Sequence, residues 1–138
     1  MTLPAIAGYT LVAQISRSDR AVVYQAVQDI DQRPVIIKLL RSEYPSESEL
    51  VQFYNQYTIA HNLSIPGIVK PLSLEPWANG YALVMEDCGS ISLRNYMQVN
   101  TLSLEELLNI SIQLAEILQD LYQHRVIHKD IKIGRAHV

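Results

Sequence analysis

A lysine set in an apolar strand and a short run ending in an aspartate are the features of this 138-residue chain that invite a chemical reading. Lys38 interrupts Val35-Ile36-Ile37-Lys38-Leu39-Leu40, where every other residue is apolar. An ammonium in such a run loses hydration; it is tolerated where an anion meets it, or where the strand lies at an edge and the stem carries the charge back to water. Taken alone, Lys38 leaves both readings open. The second feature is Val126-Ile127-His128-Lys129-Asp130-Ile131-Lys132. An H-x-D tripeptide is common in unrelated chains, so its meaning depends on the elements around it. A third segment, Met85-Glu86-Asp87-Cys88-Gly89, leaves an apolar stretch and by itself reads as an ordinary strand-to-loop exit.

The elements that must position these residues follow from periodicity. Alternation and β-branched content predict strands over 9–15 and 21–27, separated by the polar residues 16–20. The Lys38 run is a third strand. Ser46-x-x-Glu49 is a capping box, and Leu50, Phe53, Tyr54, Tyr57 and Ala60 follow it at helical spacing, with Pro66-Gly67 as the stop. Two further strands, near 69–74 and 81–86, flank a turn in which Asn79-Gly80 is expected to supply positive φ. Residues 93–98 form a short helix. Ser103-x-x-Glu106 opens a long one with a broad apolar stripe of Leu104, Leu107, Leu108, Ser111, Leu114, Ala115, Leu118, Leu121 and Tyr122. Five strands with one inserted helix make an antiparallel α+β pattern rather than a doubly wound one.

In this order and at these separations the features resemble the protein kinase family over about residues 9–132. Val35-Ile36-Ile37-Lys38 resembles the family's V-A-I-K, and His128-Lys129-Asp130-Ile131-Lys132 its H-R-D-L-K. The resemblance implies a kinase N-lobe, a five-stranded antiparallel sheet with one helix, over about 9–87. The first helices of an incomplete C-lobe follow over about 90–132. It implies ATP as cofactor, with Lys38 on the α- and β-phosphates, Asp130 receiving or orienting the proton of a substrate hydroxyl, and Lys132 beside the transferring phosphate. A lysine two residues after the aspartate is the serine/threonine pattern, and it disfavours a small-molecule phosphotransferase of the aminoglycoside type. Met85 takes the gatekeeper place, and Glu86 and Cys88 the hinge places whose backbone groups bond adenine. In detail, Val35-Ile36-Ile37-Lys38, Pro66-Gly67 and His128-Lys129-Asp130-Ile131 resemble the kinase-like domains that head large bacterial multidomain sensor proteins.

Several positions depart from that pattern. Ser16, Ser18 and Ala21 stand where G-x-G-x-x-G is expected, ahead of Val22-Val23-Tyr24, with Val23 over the nucleotide. Glycine serves there because backbone N–H groups approach the phosphates without an intervening Cβ. Arg17 and Arg20 offer guanidinium groups a phosphate could meet, against the plainer reading of solvated loop arginines. Counting back from Pro66, the helix partner of Lys38 falls on Gln56, which accepts a hydrogen bond but brings no charge. Glu49 lies seven residues earlier, about 10 Å along a helix axis. Lys129 replaces an arginine and cannot form its bidentate clamp. After Lys132 no Asn and no D-F-G follow, so no residue here is assigned to Mg²⁺, which the full-length domain is expected to use.

The last six residues, Ile133-Gly134-Arg135-Ala136-His137-Val138, resemble no kinase segment. They back-translate as ATC-GGA-AGA-GCA-CAC-GTC, a common sequencing-adapter string whose next codon is a stop. The expectation is an assembly artefact on a native protein that continues into further domains, and no phosphotransfer by residues 1–138 themselves.

Bulk properties narrow the function classes. Hydrophobic residues make up 49% and charged residues 18%, which is a globular balance rather than a disordered one. The net charge of −3 speaks against a nucleic-acid surface. The single cysteine, Cys88, excludes an internal disulfide framework and suits a reducing compartment. No apolar run approaches the roughly 20 residues of a membrane helix, and the start lacks a positive n-region. A cytoplasmic signalling protein is therefore expected, with ATP, an unidentified protein substrate and its own downstream domains as partners. Two functions compete. One is a serine/threonine protein kinase; the other is a pseudokinase serving as a nucleotide-binding or protein-interaction module, motivated by Ser16, Ser18, Ala21 and Gln56.

Overall fold

The computed structural model describes residues 3–63, 65, 68–87, 89 and 93–125. Pro66, Gly67, Cys88, His128, Lys129, Asp130, Lys132 and the adapter-like tail lie outside the described residues. The chain divides into two units, one of residues 1–64 with 69–87, the other of 65–68 with 88–138.

In the first unit, β1 (Tyr9–Arg17), β2 (Ala21–Gln28), β3 (Pro34–Leu40), β4 (Pro71–Trp77) and β5 (Gly80–Glu86) form one antiparallel sheet in the order β1-β2-β3-β5-β4. The expected antiparallel α+β architecture is the observed one. The strand order has a local cause: β4 carries Pro71 and Pro76, which cannot donate to a ladder, so it sits at an edge. From Val35 to Leu40, β3 alternates buried and half-buried residues, as a strand with two covered faces should.

One face holds the main core. Val22, Tyr24 and Ala26 of β2, Val35, Ile37 and Leu39 of β3, and Ala82 and Val84 of β5 cluster there with Ile6. Tyr9 and Leu11 from one edge strand and Leu72 and Trp77 from the other pack on that same cluster, so the sheet curls around it. The Trp77 indole N–H donates to the Ala5 carbonyl at 3.0 Å, tying β4 to the segment ahead of β1. Val35, Ile37, Ala82, Leu83 and Val84 are essentially inaccessible. Burying each of these Val, Ile and Leu side chains contributes about 1.5–3 kcal/mol.

The helix α1 (Glu47–His61) begins at the expected capping box: the Ser46 hydroxyl accepts from the Glu49 N–H at 3.1 Å, and the Glu49 carboxylate accepts from the Ser46 N–H at 3.2 Å. It ends at Asn62, ahead of the predicted Pro66-Gly67 stop, where the Asn62 N–H donates to the Thr58 carbonyl and the Leu63 N–H to the Ala60 carbonyl. Of the predicted apolar positions only Phe53 is buried; Tyr54 is 51% exposed, so the stripe is narrower than its spacing suggests.

The β4–β5 turn differs from the expectation in which residue bears the unusual backbone. Trp77 pairs with Gly80, leaving a two-residue loop of Ala78 and Asn79, and Ala78 takes φ +48°. Gly80 instead opens β5, where a Cβ would stand 3.1 Å from Leu50 Cδ2. Its glycine serves the close approach of α1, not the turn. The Asn79 amide donates to the Glu43 carbonyl at 2.8 Å and anchors the tip to the stretch before the helix.

In the second unit, α2 (Leu93–Val99) precedes α3 (Leu104–Gln123), whose Ser103 capping box is complete. Leu121 is buried. Much of the predicted α3 stripe is open: Leu104 is 72%, Leu108 53% and Tyr122 74% exposed. No helix among the described residues is long and apolar enough to cross a membrane.

Candidate functional site

The second face of the sheet, opposite the main core, gathers most of the residues singled out in the first unit. Directly paired residues share a face, and alternate residues along a strand return to it. Val23 pairs with Lys38, Lys38 with Leu83 and Leu83 with Leu74, which gives one row across four strands. Ala21 pairs with Leu40 one step away on the same face, and Met85 with Ile36 on the other side. Ser16 joins the row opposite Val23 because a register shift between Gln14 and Ser16 breaks the alternation of β1. A bulge of this kind re-aims the side chains that follow it.

The α1 helix lies on this face. Lys38 Nζ donates to Gln56 Oε1 at 3.2 Å and stands 5.9 Å from the centre of the Phe53 ring. The two contacts explain how a lysine is tolerated in β3: one side of the ammonium meets an amide oxygen, another a π face. Gln56 is exposed and neutral, so it orients the ammonium without cancelling its charge. Glu49 does not take over that role. Its carboxylate is engaged by the Ser46 N–H, although the residue lines the same recess as Lys38.

That recess has a volume of about 120 Å³ and is walled by Arg20, Ala21, Lys38, Leu40, Glu49, Gln52, Phe53 and Gln56. Gln52 was not anticipated, though it is one helical turn before Gln56, the spacing that puts two residues on one helix face. Arg41 was missed as well: its side chain donates to the Ser18 carbonyl at 3.0 Å. A larger open hollow of about 480 Å³, along Ala7, Gly8, Tyr9, Gln28, Asp29, Ile30 and Glu75, touches none of the predicted residues.

The loop between β1 and β2 closes on itself. Ser18 N–H donates to the Ala21 carbonyl at 2.8 Å, and the Ala21 N–H donates to Ser18 Oγ at 3.2 Å. Ser16, Ser18 and Ala21 all have negative φ, so this turn does not require glycine. At the far end of β5, the Glu86 N–H donates to the Lys70 carbonyl and the Glu86 carboxylate accepts from the Lys70 N–H, each at 3.2 Å. The Glu86 side chain thereby braces the exit of β5. Cys88, Asp130 and Lys132 lie outside the described residues, so the geometry brings together Ser16, Ala21, Val23, Lys38, Gln56 and Met85, with Ser18 and Glu86 at the two margins.

Among the described residues no cluster of three or more His, Cys, Asp or Glu could hold a metal ion. The recess instead brings two cationic residues, Arg20 and Lys38, beside the carboxylate of Glu49, one oxygen of which accepts from the Ser46 N–H.

Comparison with known proteins agrees with this geometry. A family model described as protein kinase domain matches residues 9–134. The chain belongs to the protein kinase family. A serine/threonine-protein kinase of Bacillus subtilis, PrkC, is 32% identical over 126 residues, covering 90% of this chain and 19% of its own length. A protein kinase and PP2C-like domain-containing protein of Arabidopsis thaliana is 25% identical, covering 90% and 18%. The serine/threonine-protein kinase dst4 of Dictyostelium discoideum is 29% identical over 131 residues, covering 93% and 26%. The chain thus spans about a fifth of the length of the curated relatives it matches. Inside the matched span lie both partners of the 3.2 Å Lys38–Gln56 contact.

Proposed function

We propose that this chain is the first part of a serine/threonine protein kinase domain that transfers the γ-phosphate of ATP to a protein hydroxyl. The observation that carries the reading is the Lys38–Gln56 contact at the edge of the recess shared with Arg20. It brings α1 against β3 at the place where the family's strand lysine meets its helix partner, here through an amide. ATP, when bound, supplies the transferable phosphoryl group. The protein's part is to hold it: Lys38 on the α- and β-phosphates, Val23 and Ala21 over the nucleotide, Met85 as gatekeeper, and the backbone at Glu86 and Cys88 on adenine. Asp130 orients the substrate hydroxyl and takes its proton, and Lys132 sits beside the transferring phosphate. The two kinase lobes are placed at about 9–87 and 90–132, a division supported by the break between units at residues 87 and 88. The setting is cytoplasmic, as the lone Cys88 suggests.

Residues 1–138 are expected to bind ATP without transferring phosphate. Resequencing the locus across codons 125–140 tests the tail: a frame running on into an Asn and a D-F-G makes residues 133–138 an adapter artefact and the protein a longer kinase. For the chain in hand, the test is ATP titration of native protein and Lys38→Met. A loss of tenfold or more in affinity with unchanged melting is expected; equal affinity would remove Lys38 from the site.

A pseudokinase is the second reading, favoured by one observation, the amide of Gln56 where an active kinase carries a carboxylate. ATP binding by the complete domain without any Asp130-dependent transfer would decide for it.

A further inference from the structure

We infer that Arg20 is the residue by which the β1–β2 loop grips phosphate, taking the place of backbone N–H groups that this loop has turned inward. The inference rests on the nucleotide reading above and deepens it. In a glycine-rich loop the donors are main-chain N–H groups brought close to the phosphates. Here two of them are already engaged: Ser18 N–H bonds the Ala21 carbonyl at 2.8 Å, and Ala21 N–H bonds Ser18 Oγ at 3.2 Å. The Ser18 hydroxyl also lies 3.2 Å from the Ala21 carbonyl, as a donor, so its one side chain closes the turn from both directions. A phosphate would have to break this turn to recruit those amides.

Arg20 needs no such rearrangement. It sits at the tip of the turn and lines the recess with Lys38, Gln52 and Gln56. Its main chain is held from β3, since the Arg41 N–H donates to the Arg20 carbonyl at 2.8 Å while the Arg41 guanidinium donates to the Ser18 carbonyl at 3.0 Å. Arg41 is therefore a positioning residue, and holding the turn in advance lowers the ordering cost of binding. The guanidinium fork matches phosphate oxygens with two parallel bonds, which an ammonium cannot do. Glu49 lines the recess too and keeps its negative charge while one oxygen accepts from the Ser46 N–H, so the two cations Arg20 and Lys38 outnumber it there. The ligand class is the polyphosphate of a nucleoside triphosphate, bound between the Arg20 fork and the Lys38 ammonium.

The test is calorimetric titration of the 138-residue chain with ATP, comparing native protein with Arg20→Ala, Arg20→Lys, Lys38→Met and, as a charge control in the β2–β3 turn, Arg33→Ala. Arg20→Ala is expected to weaken ATP by about tenfold to a hundredfold, the worth of charge-assisted hydrogen bonds. Arg20→Lys should recover only part of the loss, Arg33→Ala should behave as native, and melting should be unchanged. If Arg20→Ala matches Arg33→Ala while Lys38→Met still weakens ATP, the inference fails and the nucleotide reading stands. If native protein binds no ATP, both fail together.

Discussion

Lys38 shows how one side chain can be tolerated and used by the same contacts. Its stem lies in an apolar strand while its ammonium meets Gln56 Oε1 and faces the Phe53 ring. Because Gln56 is neutral and exposed, restoring a carboxylate there is an informative change. Gln56→Glu is expected to stabilise the chain by up to about 1 kcal/mol in low salt, the range of exposed ion pairs. The gain should shrink as ionic strength rises, as denaturant titrations at two salt concentrations would reveal. Tyr96 offers a second residue-level test. Its hydroxyl donates to Glu106 at 3.3 Å, and the Glu106 charge, then that hydrogen bond, push the phenol above its ordinary range. The folded state holds this proton more tightly than the unfolded one. The contribution is therefore complete below about pH 10, the ordinary tyrosine value, and is lost as pH rises through the raised one. In Glu106→Gln, which keeps the capping geometry, the Tyr96 ring resonance should titrate at lower pH than in the native chain; an unchanged midpoint would remove Glu106 as the cause.

At the level of elements, the placement of Gln56 depends on where α1 starts, and that start is set by the Ser46–Glu49 box. Ser46→Ala should cost about 1 kcal/mol by removing one reciprocal bond. Circular dichroism melting would register it, with the larger loss of signal in the helical band. The β4–β5 turn makes the opposite prediction. Ala78 holds φ +48°, a conformation that strains an L-residue by about 1–2 kcal/mol, whereas glycine adopts it freely. After the entropy that glycine loses on folding, about 0.5–1 kcal/mol, Ala78→Gly should leave the chain more stable by up to about 1.5 kcal/mol. A measured destabilisation would mean that the Ala78 methyl does something the backbone alone does not require.

At the scale of the whole molecule, the first unit has a closed core and the α3 helix of the second has an open apolar face. Leu104, Leu107, Leu108, Ile112, Leu118 and Tyr122 are all exposed. Contiguous apolar surface of this extent drives association when nothing covers it. The 138-residue chain is expected to bind a fluorescent hydrophobic dye and to sediment as more than a monomer at high concentration. Leu104→Lys with Leu108→Lys should reduce both without lowering the melting temperature, because neither residue contributes to a buried core. Dye binding that persists unchanged would place the exposed surface elsewhere.

Much of this protein is determined locally and could be read in order along the chain. The five strands, the two capping boxes and the antiparallel α+β class follow from alternation, β-branching and Ser-x-x-Glu spacing, which act within a few residues. The pairing of Lys38 with Gln56 was also legible, because a family pattern carries the count back from Pro66 even though Pro66 itself is not described. What sequence alone misplaced were features set by contact across the fold. Gly80 was assigned to the turn, but its missing Cβ makes room for Leu50 of α1, and the positive φ falls on Ala78. Tyr54 and Ala60 fit the helical stripe, yet only Phe53 is buried, because one sheet face covers a narrow strip of α1. Arg41 shows no signal in its own neighbourhood; it matters because the β2–β3 ladder brings the exit of β3 beside the turn containing Ser18. Periodicity and caps decide which elements form, since those forces are short-ranged. Which amides of the β1–β2 loop are engaged, and which cationic residues line the recess, was decided only by the tertiary structure, where strands distant in sequence share hydrogen bonds.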